Sequence, residues 1–233
     1  MRTTLESLTA SLVLLSVFFA GSAFADENVV QVLNHAVASF EKRFEMIDRA
    51  KSRIDVEYFI YNTDEAGRIF SQALVKKKEE NPNLRIRVLV DASATILELK
   101  APYVTALRNH GIEVRYYNTA PLVTRFMAAQ YRDHRKLLLV DGVEAMTGSR
   151  NIADEYFDLS RTFNFRDRDI YVSGPIVKEM EDDFESYWSD PITVPGRTLG
   201  KIDSEKKRRD LEKGESFLTP NSGDAAMRAA IRN

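Results

Sequence analysis

Between Arg53 and Tyr61 apolar and polar positions alternate. Ile54, Val56, Tyr58 and Ile60 share one parity, and Asp55, Glu57 and Phe59 share the other, which predicts a strand. From Glu65 to Lys78 the spacing becomes helical, with Ile69, Phe70, Ala73 and Leu74 inward and Lys76 to Lys78 outward. Asn62-Thr63-Asp64 opens that helix and Asn81-Pro82-Asn83 stops it. Leu84 to Val90 is the next strand, ending at Asp91. Pro102 to His110 is a short helix closed by Gly111, and Ile112 to Tyr117 is a third strand. This alternation predicts an α/β fold, a mixed β-sheet flanked by helices.

Upstream, Asn28 to Lys51 carries Val29, Val30, Val32, Leu33, Val37, Phe40, Phe44 and Ile47 at mostly helical spacing. It predicts two short helices or one broken one. Downstream, Arg168 to Val172 reads as a strand. Ser173-Gly174-Pro175 then introduces an amphipathic helix from Ile176 to Trp188.

The two ends differ from this body. Arg2, the apolar run Leu8 to Phe19 and Ala23-Phe24-Ala25 read as a secretory signal over residues 1–25, placing the mature chain in a periplasm or outside the cell. Pro191 to Gly200 is rich in turn formers and marks a domain edge near residue 195. Residues 196–233 then read as a charged, partly disordered tail, or the start of a linker to a second half.

The net charge of -2 weighs against a non-specific nucleic-acid binder. With no Cys, thiolate metal sites and cysteine nucleophiles are excluded. Asn118 to Gln130 is apolar but irregular. It reads as a buried connector or, through Phe126 and Met127, as a lipid contact at a cleft mouth.

The chemistry concentrates in His134 to Asn151, HRKLLLVDGVEAMTGSRN. Its parity points His134 and Lys136 the same way, and Ser149 and Asn151 share a parity after a second short run. The expected picture is a hairpin turning at Asp141-Gly142, with four polar groups on one wall of a cleft. That set suits a phosphodiester. An imidazole attacks phosphorus, an ammonium holds the non-bridging oxygens, and a hydroxyl and an amide complete the cradle.

The stretch resembles the phospholipase D superfamily signature His-x-Lys-x4-Asp-x6-Gly-Ser-x-Asn, with every fixed position present. At roughly one residue in twenty per fixed position, a chance match has odds on the order of 10⁻⁵ to 10⁻⁶. Asn151 to Phe157 and Asp167 to Pro175 are similar to the bacterial cardiolipin synthase branch.

The resemblance implies a phospholipase D-like phosphodiesterase or phosphatidyltransferase acting on phospholipid at a membrane surface, through a phosphohistidine at His134. Lys136, Ser149 and Asn151 assist. Asp167 is the carboxylate expected to orient His134, with Asp169 as runner-up. Asp141 belongs to the catalytic signature, although its turn position favours a structural task. No metal or cofactor is expected. The family's second His comes from a second copy of the motif, which this sequence lacks. A homodimer or a second half is therefore implied. The alternatives are a secreted single-motif nuclease acting as a homodimer and a non-catalytic binding module. Nucleic acid is the less expected partner.

Overall fold

The computed structural model describes residues 27–92, 99–119 and 132–220. The signal expected over residues 1–25, the Phe126–Met127 stretch and the last residues of the expected tail lie outside these.

Eight strands form one mixed sheet in the order β1-β7-β6-β5-β2-β3-β4-β8. They are β1 (Val29–Leu33), β2 (Arg53–Tyr58), β3 (Arg85–Asp91), β4 (Glu113–Tyr117), β5 (Lys136–Val140), β6 (Glu144–Gly148), β7 (Asp169–Ser173) and β8 (Thr193–Pro195). The helices are α1 (Ala36–Arg49), α2 (Glu65–Glu80), α3 (Ala101–Asn109), α4 (Ile176–Trp188) and α5 (Glu205–Leu218). β2, β3 and β4 pair in parallel through α2 and α3, as the alternation predicted, and the other pairings are antiparallel.

The strand parity sorts the core into two layers. Ile54, Val56, Tyr58, Leu138 and Val140 face one side, against Phe40, Met46 and Ile47 of α1 and apolar residues of α2, α3 and α5. Leu89, Leu137 and Leu139 face the other, against Val177, Phe184 and Trp188 of α4. Trp188 is thus a packing residue. Charge also holds α4 down: Arg87 is paired with Asp55 at 2.6 Å and with Glu185 at 2.7 Å, and lies 4.9 Å from the Trp188 ring.

One expectation is corrected. The Asn28–Lys51 stretch is a strand followed by one helix. The β-branched run Val29, Val30, Val32 pairs antiparallel with β7, and His35 stands at the start of α1. β8, three residues long, lies in the turn-rich Pro191–Gly200 stretch and closes the edge of the sheet beside β4. The charged run after Lys201 is a docked helix. Ser204 caps α5 by accepting from Lys207 N, and Gly214 allows the helix against the Pro102 carbonyl. Phe217 meets the Tyr103 ring at 4.9 Å, and Gln72 donates to the Phe217 carbonyl. One small and two apolar residues at its end give α5 a buried face that its charge content hides.

Candidate active site

The register sets Leu33, Asp169, Gly148, Lys136 and Tyr58 side by side across β1, β7, β6, β5 and β2. Aligned neighbours share a face, so Lys136 and Asp169 flank a strand position without a side chain. A Cβ at Gly148 would fall 2.3 Å from Asp169 Oδ1 and 2.5 Å from the Arg168 carbonyl oxygen. The glycine of the signature makes room for that carboxylate.

His134 lies just before β5, with its ring exposed. It stacks on Phe59 at 3.9 Å between ring centroids and 20° between planes. Lys136 Nζ lies 5.2 Å from the same ring and donates to the His134 carbonyl. Imidazole and ammonium therefore share one side of the sheet end. Burial lowers the Lys136 ammonium from its ordinary value, against the pull of Asp133 and Asp167. Neither ring nitrogen of His134 is hydrogen-bonded among the described residues, so both are open to a ligand.

Ser149 is exposed at the end of β6. Its hydroxyl accepts from Arg168 N (3.1 Å) and donates to the Arg168 carbonyl (3.2 Å), fastening β6 to the start of β7. Asn151 is 3 % exposed, and its Oδ1 accepts from Ile60 N at 3.0 Å. The four polar groups therefore form a graded set. His134 and Ser149 face solvent, Lys136 is half-buried, and Asn151 braces the wall from inside.

The two carboxylate candidates part company. Asp169 is fully buried and saturated by Ser39 Oγ, Arg43 Nη1 (3.1 Å), Arg150 Nη1 (3.4 Å) and Arg150 N (3.4 Å). It ties β7 to α1 and makes no contact with His134. Asp167 is half-buried and coupled electrostatically to Lys136. No hydrogen bond joins Asp167 to His134 among the described residues.

Asp167 also lines a cleft of about 220 Å³ with Asn34, His35, Asp158, Arg166 and Arg168. At its lip Phe163 and Phe165 are 57 % and 43 % exposed, their rings 5.2 Å apart. His110 lies elsewhere, between Glu79 and Glu215 at 3.0 and 3.3 Å.

Asp141 stands at the opposite end of β5 from Lys136, roughly 16 Å away at strand rise. It takes a positive φ of 54° in the turn before Gly142. Its carboxylate accepts from Lys51 N, Ser52 N, Ser52 Oγ and Arg53 N, pinning the entry to β2. Burial opposes ionisation there, but those donors hold the carboxyl below its usual range. The third member of the signature is placed apart from the polar wall.

Sequence reading missed Arg43 and Arg150, 1 % and 2 % exposed, which carry Asp169. Arg43 left one signal: a cation in the stripe of Ala36, Phe40, Met46 and Ile47, where a charge needs a buried partner. Phe59 was read only as a strand residue.

Fold and site together define an α/β domain with a single His-x-Lys-x4-Asp motif. The family described as "Cardiolipin synthase, PLD-like domain" matches residues 44–188, and the chain belongs to it. Major cardiolipin synthase ClsA of Bacillus subtilis is 30% identical over 169 residues, 72% of this chain and 34% of that protein. Cardiolipin synthase C of Escherichia coli is 34% identical over 170 residues, 67% of this chain and 34% of that protein. The chain thus spans about a third of the length of these relatives. The fold is similar to phosphatidylserine synthase of Haemophilus influenzae, with a TM-score of 0.60 at 19% identity over 82% of this chain and 44% of that one. It is also similar to the phospholipase D family member Nuc of Salmonella typhimurium, with a TM-score of 0.52 at 17% identity over 74% of this chain and 100% of that one.

Proposed function

We propose that the chain is half of a phosphatidyltransferase or phosphodiesterase centre acting on phospholipids, through a phosphohistidine at His134. The observation that carries this is the open His134 ring beside the Lys136 ammonium, both packed on Phe59. In the attack a ring nitrogen forms a bond to phosphorus, the bond to the leaving oxygen breaks, and Lys136 neutralises the non-bridging oxygens. Ser149 offers a hydroxyl at the same mouth, and Asn151 keeps the wall in place. Asp167 is the proposed orienting carboxylate, and it reaches the ring once substrate closes the site. Asp141 serves by anchoring β5 to β2.

The leaving alkoxide needs a proton. Its donor is the imidazole of a second motif, from a second copy or from a further half of the protein. The leader over residues 1–25 delivers the domain to a periplasm or beyond, where phospholipid is at hand. The catalytic unit starts at residue 26 and, with α5 docked, extends past residue 195.

Phe163 and Phe165 favour lipid over nucleic acid. Two exposed aromatic rings beside Arg161, Arg166 and Arg168 suit a headgroup interface better than a strand of bases on a chain of net charge -2. Replacing both phenylalanines by Ser is expected to weaken cosedimentation with phosphatidylglycerol vesicles by about tenfold or more. Equal binding would remove the lipid reading. Parallel incubation with phosphatidylglycerol and with DNA, using His134→Ala as control, tests the chemistry. Lipid products that vanish in the variant support the proposal, and DNA cleavage alone supports a nuclease.

A further inference from the structure

His134 stands between two residues that turn to the other face of the sheet. Asp133 and Arg135 both point to the α4 side, where Glu57 of β2 meets them. The Arg135 guanidinium bonds Glu57 and Asp183 through its two terminal nitrogens and Asp133 Oδ1 through Nε at 3.3 Å. The Tyr187 ring lies 3.3 Å from the guanidinium carbon. The main chain is held as well. Asp133 N donates to Asp91 Oδ2 at 2.9 Å, and Arg135 N donates to Asp133 Oδ1 at 3.0 Å.

The charges of this cluster do not balance if every acid is ionised. Asp183 is 58% exposed and solvated. Glu57 and Asp133 are 0 % and 1 % exposed, with Arg135 between them. Two buried carboxylates on one guanidinium leave a surplus negative charge where an unpaired charge is strongly disfavoured. Glu57 Oε2 and Asp133 Oδ2 are also buried without a hydrogen-bond partner. One proton between the two carboxyls removes both faults.

We propose that Glu57, Asp133 and Arg135 are positioning residues, a lock that fixes the main chain on both sides of His134 and keeps its ring on Phe59, closed by one proton shared between the two carboxyls. Only its catalytic consequence rests on the proposed role of His134. The other titratable and charged groups around the lock are Lys136 of β5, which Asp133 attracts, Asp91 of β3 with Arg132, Tyr117 of β4, and Asp183 and Tyr187 of α4. Burial first, then neighbouring Asp133, pushes the Glu57 carboxyl well above its ordinary value, against the pull of Arg135. A carboxyl raised in the folded state supports the fold at low pH and loses that contribution as pH rises through its raised value. The lock is thus closed below that raised value and opens above it.

The test is NMR of the whole chain, reading His134 directly. The chain has three His, so His134→Gln assigns its ring signals. The expected result is a ring-current shift from Phe59 that disappears as the Glu57 carboxyl, followed by carbon-13, titrates above the usual acid range. Glu57→Gln, whose amide copies the protonated acid, keeps the shift and removes its loss at higher pH. Glu57→Leu loses the shift at every pH.

A folded Glu57→Leu chain with the His134 shift intact would overturn the lock. So would a Glu57 carboxyl titrating in the ordinary range. Should Glu57→Leu not fold, the wild-type titration and the Gln variant decide. Phosphodiester hydrolysis is assayed in parallel. An inactive wild type with a pH-coupled His134 shift ends the functional proposal and leaves the lock standing.

Discussion

Single residues carry most of the energetic asymmetry of this molecule. Asp169 is one acceptor between two buried guanidinium groups, and removing it leaves Arg43 and Arg150 without their anion. Asp169→Ala is expected to cost about 3–5 kcal/mol in urea unfolding. A loss under about 1 kcal/mol would show that water replaces the carboxylate. Asp141→Ala should cost about 1–3 kcal/mol, since four donors at the entry to β2 lose their acceptor. Its carboxyl is held below the ordinary value, so this contribution is present above that value and is lost as pH falls through the lowered one. The gap between wild type and Asp141→Ala should therefore close in strong acid. A gap independent of pH would contradict the account.

The same scale shows what could be read from the chain alone. His134, Lys136, Ser149 and Asn151 were legible because one hairpin carries them, and hairpin geometry follows from local spacing. The partners of Asp169 were not, because Arg43 lies 126 positions away and meets it only when β1 and α1 close over β7. The preference for Asp167 over Asp169 came from a resemblance. The two now differ by burial and by partners: Asp169 is spent on structure, and Asp167 borders the cleft beside Lys136.

At the scale of elements, the parallel β2-β3-β4 core followed directly from alternating periods, since each strand and helix there is long enough to show its own. β1 was hidden because five apolar-rich residues running into a helix read equally as helix. The docking of α5 was hidden because its buried face is only Gly214, Phe217 and Leu218 at the end of a charged run. That face gives a test. At Gly214 a Cβ would lie 2.3 Å from the Pro102 carbonyl oxygen. Gly214→Val should lift α5 from α3 and raise amide exchange across Glu205–Leu218, with β2 to β4 still protected. Unchanged protection of α5 would mean the contact yields without cost. Gly148→Ala makes the matching test in the sheet. Its Cβ collides with Asp169 and the Arg168 carbonyl, so β6 and β7 must part, and the expected cost is about 2–4 kcal/mol.

The whole molecule is one sheet with unlike faces. One carries the apolar core under α1, α2, α3 and α5. The other joins α4 through Arg53, Arg87 and Arg135 to Glu181, Glu185 and Asp183. Among the described residues no helix is long and apolar enough to cross a membrane. The proposed approach to lipid is by contact at the Phe163–Phe165 lip, where both rings are exposed. In the proposed mechanism one motif suffices for attack at His134, and protonation of a poor leaving group requires the second imidazole.

That separation makes the central claim accessible in one measurement. A p-nitrophenyl phosphodiester needs no acid, because nitrophenolate leaves unaided. Mixing it with the chain and quenching in base for mass spectrometry should reveal a phosphoryl adduct on His134, base-stable and acid-labile, with one equivalent of nitrophenolate released. An adduct on another residue, or equal nitrophenolate release by His134→Ala, would contradict the account.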